Sequence, residues 1–210
     1  MNKTIIFDFD GTIGDTMFLG VEIYNEIAQG EKFKEVTPGE VDILRSKEFR
    51  EIMRDLNIGM LDLPLLLIKI KSKLKSRISE VKMFDEVKET LHELKNSGYD
   101  LAIISSNSKE NLDIFLGENE LSDLFEFVLS VKNTFGKDKS LRKVMKDKGL
   151  SKDSTWYVGD EIRDIKASRK VGIEVIAVSW GFNTKDSLLR YDPDFMADNP
   201  KSIFNYFENK

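Results

Sequence analysis

The pattern of apolar and polar positions changes character twice along the chain. Thr4-Ile5-Ile6-Phe7 is an apolar or β-favouring run with no alternation, which predicts a strand buried on both faces and set mid-sheet. From about residue 15 to 82 every period is helical. Met17, Val21, Tyr24 and Ala28 predict a helix stopped at Gly30, and Thr37-Pro38 reads as an N-cap with proline at the first helical position. Val41, Leu44, Phe49, Ile52, Met53 and Leu56 continue the helical spacing with a break near Ser46. Asp62 and Pro64 open a further helix with Leu67, Ile70, Leu74 and Ile78 on one stripe. From about residue 84 the rhythm alternates. Predicted helices over 84–94, 108–116, 138–148 and 162–171 interleave with predicted strands over 99–104, 125–129, 155–158 and 173–178. Ile203, Phe204 and Phe207 predict a short docking helix at the end.

Alternating strands and helices imply a parallel sheet with right-handed crossovers. The strand that should follow the first is delayed by far more than one helix. The expected architecture is an α/β, Rossmann-like core from residues 1–14 and 83–210, with an inserted all-helical cap of four helices over 15–82.

Composition narrows the class. At 210 residues the chain is one domain, or one with a sizeable insertion. A 40% hydrophobic and 33% charged composition is that of a soluble globular protein. A net charge of -5 argues against a nucleic-acid partner, which calls for a basic surface. The absence of cysteine excludes disulfide and thiol chemistry and fits a cytoplasmic setting. Asp8 and Asp10 interrupt the N-terminal apolar run too early for a signal peptide, and residues 61–70 are too short and polar to span a bilayer. A monomer or homodimer without a membrane partner is expected.

Three predicted strands end in polar residues: Asp8 and Asp10, Ser106 and Asn107, Gly159 and Asp160. In an open α/β sheet such ends share one edge, where ligands bind. Two or three carboxylates, a hydroxyl and nearby lysines at one edge suit Mg²⁺ and a phosphate. An acidic turn is the plainer reading of Asp8-Phe9-Asp10-Gly11 alone. A calcium loop does not fit, because Gly11 comes at the fourth position and no glutamate closes the loop.

The longer string Asp8-Phe9-Asp10-Gly11-Thr12-Ile13-Gly14-Asp15-Thr16 resembles the first motif of the haloacid dehalogenase-like hydrolases, in its phosphoglycolate phosphatase-like branch. The resemblance implies a Mg²⁺-dependent phosphatase acting on a small phosphorylated metabolite. It makes Asp8 the nucleophile that becomes a phosphoaspartate, and Asp10 the general acid and base. Ser106, with Asn107 beside it, would hold a phosphate oxygen. A lysine before the following helix would neutralise the nucleophile and phosphate. Lys132, Lys137 and Lys139 are candidates; Gly136 directly before Lys137 favours Lys137, then Lys139. Gly159-Asp160-Glu161-Ile162-Arg163-Asp164 matches the segment that completes the metal site. Asp8, the Asp10 carbonyl and Asp160 would bind Mg²⁺, with Asp164 orienting a bound water or Lys137.

The family also contains 2-haloacid dehalogenases and phosphomutases of the β-phosphoglucomutase type. Asp10 argues against the first, and a cap without histidine against the second. An inactive binding module on the same scaffold would not need both Asp8 and Asp10. Among other residues, His92 and the lysine run Lys69, Lys71, Lys73 and Lys75 read as surface, and Arg163 as a partner of Glu161 or Asp164. Arg45-Ser46-Lys47 could reach the site, and Trp180-Gly181-Phe182 could line its edge or simply pack.

Overall fold

A computed structural model describes residues 3–131 and 136–210. The apolar run forms β1 (Thr4–Phe7), all four residues buried. The chain then makes a two-residue strand, β2 (Gly14–Asp15), and enters helices α1 (Met17–Ala28), α2 (Val41–Arg45), α3 (Phe49–Asp55) and α4 (Leu63–Ser76). It returns through β3 (Lys82–Met83), which pairs antiparallel with β2: Gly14 faces Met83 and Asp15 faces Lys82. The helical insertion therefore leaves and rejoins the core through one short ribbon.

Beyond it come α5 (Val87–Asn96), β4 (Asp100–Ser105), α6 (Lys109–Glu118), β5 (Phe125–Ser130) and α7 (Lys137–Lys148). They are followed by β6 (Thr155–Gly159), α8 (Ile162–Val171), β7 (Glu174–Val178), α9 (Lys185–Leu189), β8 (Phe195–Ala197) and α10 (Pro200–Glu208). Six strands form one parallel sheet in the order β5-β4-β1-β6-β7-β8. This is the α/β architecture expected, with the helical insertion after the first strand.

Burial explains the unbroken apolar strands. Ile5, Phe7, Leu101, Ile103, Trp156 and Val158 face one layer, which includes Leu91 and Leu94 of α5, Phe115 of α6 and Phe207 of α10. Ile6, Ala102, Ile104 and Tyr157 face the other, with Leu141 and Val144 of α7. Each fully buried large apolar side chain contributes roughly 1.5–3 kcal/mol. Inside the insertion α1 packs on α4, through a core that includes Ile23, Ile27, Leu66 and Leu74.

The structure corrects several readings. Residues 15–82 are not wholly helical, because their two ends form the β2–β3 ribbon. Helix α5 begins at Val87; Phe84 precedes it, and Glu86 takes φ of 64° at the turn into the helix. Ile78 lies in a 3₁₀ turn after α4 rather than on it. β8 and α9 follow the last predicted strand.

Candidate active site

The carboxyl ends of β4, β1 and β6 are neighbours in the sheet, and the polar residues that follow them meet there. Asp8 continues β1 and is 3% exposed. Its Oδ1 accepts the Phe9 amide at 2.8 Å, and its Oδ2 accepts the Lys137 ammonium at 2.6 Å. Lys137 opens α7, is itself buried, lies over the Tyr157 ring, and also donates to Asp164 Oδ1. Burial works against its charge. Asp164 and Asp8 outweigh that and hold the ammonium well above the usual lysine range.

Asp160 follows β6 and is fully buried. Its Oδ1 accepts the Thr12 hydroxyl at 2.9 Å and its Oδ2 the Phe182 amide at 2.7 Å. Burial, then the charges of Glu161, Asp8 and Asp164, push its carboxyl well above the ordinary aspartate range. Asp164 is buried too, and its Oδ2 accepts the Glu161 amide at 3.1 Å in the capping box that starts α8. One ligand atom from each of Asp8, Asp160 and Asp164 lies within 4.8 Å of the other two. Three buried carboxylates around one ammonium leave negative charge uncompensated, which is costly away from water. A hard cation with oxygen ligands meets that need, so the triad could hold a metal ion.

Asp10 stands beside this cluster. Asn107 donates to its Oδ1 at 3.0 Å and the Ser105 hydroxyl to its Oδ2 at 3.3 Å. Burial and the nearby Asp8 charge push its carboxyl up to about 6, against hydrogen bonds from Asn107, Thr16 and Ser105. Ser106 is partly buried just past β4. Lys139 is exposed, and Lys132 lies outside the described residues.

Backbone space is tight around Asp160. Gly11 takes φ of 78°, and a β-carbon there would sit 2.2 Å from Asp160 Oδ2. A β-carbon on Gly181 would sit 2.2 Å from the Asp160 β-carbon. The loop after β7 thus closes on the acidic residue. Its Trp180 indole donates to the Thr12 carbonyl at 3.2 Å.

The insertion reaches this same loop. Arg45 donates to the carbonyls of Phe182 and Gly181 at 2.9 and 3.0 Å. Asn183 donates through Nδ2 to the carbonyls of Arg45 and Lys47, accepts the Ile162 amide through Oδ1, and donates its own amide to the Asp160 carbonyl. Arg163 pairs with Glu161. Elsewhere His92 is exposed, and Lys69 and Lys73 pair with Glu31 and Glu26 at the surface. Sequence reasoning gave no part to Thr12, Ser105 or Asn183, whereas Phe182 lies in the stretch offered as the site's edge and meets Asp160 through its amide. Thr12 stood inside the quoted motif, and Ser105 ends a strand whose neighbours end in Asp8 and Asp160; Asn183 had no such signal.

The family model for haloacid dehalogenase-like hydrolases matches residues 5–178. The chain belongs to that family of hydrolases, among its phosphatases. It is similar to the phosphoglycolate phosphatase of Synechococcus elongatus, 31% identical over 96% of this chain and 95% of that protein. It is similar to pyrophosphatase PpaX of Bacillus cereus at 27% identity, over 61% of each chain. Its fold is that of a haloacid dehalogenase-like hydrolase from Streptococcus pneumoniae, with a TM-score of 0.80 at 21% identity, covering 98% of both chains. Among the described residues, no helix is long and apolar enough to cross a membrane.

Proposed function

We propose that the chain is a Mg²⁺-dependent phosphatase that hydrolyses a small phosphate monoester through a phosphoaspartate on Asp8. The observation that supports this most is the convergence of Asp8, Lys137, Asp160 and Asp164, far apart in sequence, on one buried point. In this reading Asp8 and Asp160, with the Asp10 carbonyl, hold Mg²⁺, and Asp164 fixes Lys137. When bound, Mg²⁺ neutralises phosphoryl oxygens and lowers the repulsion between two anions.

Asp8 attacks phosphorus; its oxygen–phosphorus bond forms as the bond to the ester oxygen breaks. Asp10 gives its proton to the departing alkoxide, then takes one from the water that attacks the phosphoaspartate, releasing phosphate and restoring Asp8. Lys137 holds Asp8 in line and meets the charge on the phosphoryl group, while Ser106 and Asn107 bind its oxygens. Residues 15–82 act as a cap on a core of 1–14 and 83–210. Their contacts with Phe182 and Asn183 fit closure over the site, which excludes water and bulky esters.

Phosphate release over a panel of monoesters, phosphoglycolate included, tests this with and without Mg²⁺. Activity should need Mg²⁺, and Asp8→Asn should lower it at least about a thousandfold with the fold intact. An active Asp8→Asn protein would falsify the nucleophile assignment.

A further inference from the structure

A cavity of about 280 Å³ lies between the insertion and the candidate site. Asp10 and Gly11 line it at the core end, as do Glu161 and Arg163. The rest of its wall comes mainly from the insertion, and none of those residues carries a charge. Tyr24, Ile52, Leu56, Leu63 and Leu66 are among them, all buried. Among the described residues Arg163 is the one cation in the lining, and it is already paired with Glu161. A second cavity, of about 360 Å³, shares Phe49, Ile52, Glu161, Arg163 and Phe182 with the first. Unlike the first it is lined by several further cations: Lys47 and Lys166, paired with Asp55 and Glu48, Lys137, paired with Asp8 and Asp164, and Arg50 and Lys170.

We infer that the substrate is the phosphate ester of an apolar alcohol, whose hydrocarbon part fills the insertion cavity while its ester oxygen faces Asp10. This rests on the phosphatase reading above and names its substrate class. An apolar cavity of about 150 Å³ accommodates a benzene ring, so this one has room for a chain of about six carbons or a fused aromatic pair. A carboxylate in the same place would lose its water and meet no cation among the insertion residues that line this first cavity. A short anionic alcohol such as glycolate is therefore the poorer fit, despite the similarity to a phosphoglycolate phosphatase.

Full-length protein in Mg²⁺ would be assayed with hexyl phosphate, ethyl phosphate, phosphoglycolate and 4-nitrophenyl phosphate. Hexyl and ethyl alcohols are nearly equal as leaving groups, so their ratio reports the cavity. The kcat/KM for hexyl phosphate should exceed that for ethyl phosphate and for phosphoglycolate at least about tenfold. Hexylphosphonate should inhibit more tightly than ethylphosphonate by a similar factor. Leu66→Phe, placed to fill the cavity, should pull the hexyl-to-ethyl ratio toward one. The two phosphonates measured on the unaltered protein keep the test decisive if that variant does not fold. Equal turnover of the hexyl and ethyl esters, or a preference for phosphoglycolate, overturns the inference and leaves the phosphatase reading standing. No phosphate from any of the four esters sinks the phosphatase reading, and this inference with it.

Discussion

The carboxyl edge of the sheet and the helical insertion are both rich in charge, yet they use it in opposite ways. At the sheet edge the pairs of Lys137 with Asp8 and Asp164 are buried, with side chains 9% exposed or less. In the insertion the pairs of Lys34 with Glu40, Lys69 with Glu31 and Lys73 with Glu26 are open to water. Water screens the second kind, so such pairs hold little shape. The first kind fixes position because leaving either partner alone in the interior is costly. The insertion is shaped instead by its apolar core and by a few polar contacts to the core domain. One region is thus held by buried charge, and the other by apolar packing and a few polar contacts.

The sharpest break of this contrast is a pair of lysine substitutions. Lys137→Ala leaves Asp8 and Asp164 without their cation and should cost about 3–5 kcal/mol in urea unfolding at neutral pH. Lys73→Ala should leave the unfolding midpoint where it was. Similar losses from both would mean that the two regions are built alike.

Next in size is the join between them. Arg45→Ala removes two donors to the Gly181 and Phe182 carbonyls. It should cost about 1–3 kcal/mol and make amides of α2 exchange faster, with β1 amides unchanged. Unchanged exchange in α2 would show that the apolar contacts alone seat the insertion.

The smallest effect is acid loosening of the same join. Hydrogen bonds from Lys166 and then Tyr191 hold the Glu48 carboxyl below the usual glutamate range. Its folded value is depressed, so its stabilisation is present above the ordinary glutamate value and fades as pH falls through the folded one. At the partly exposed site this is under about 1 kcal/mol. Glu48→Gln should flatten the acid limb of a stability–pH profile slightly, and a steeper limb would contradict the linkage.

The two regions also differed in how far the sequence disclosed them. β1, β4, β6 and β7 were visible because strands covered on both faces must be apolar throughout. The break between α2 and α3 showed at Ser46, where the helical stripe falters. The two-residue strands β2 and β3 carry too few positions to show any period, and β8 has only three. Asp8, Asp10 and Asp160 announce themselves by charge at strand ends. Thr12, Phe182 and Asn183 do not, because their part is set by contacts across roughly 150 and 20 residues of chain rather than by local composition. The cavity in the insertion was hidden for the same reason. A helical stripe predicts which residues turn inward, not whether they fill the space they enclose.

The ribbon at Gly14–Asp15 and Lys82–Met83 has a consequence for descent. Because the way out of the sheet and the way back lie hydrogen-bonded side by side, everything between them is a cassette on one socket. Such a cassette can be lengthened, reshaped or traded while the strands beneath keep their register.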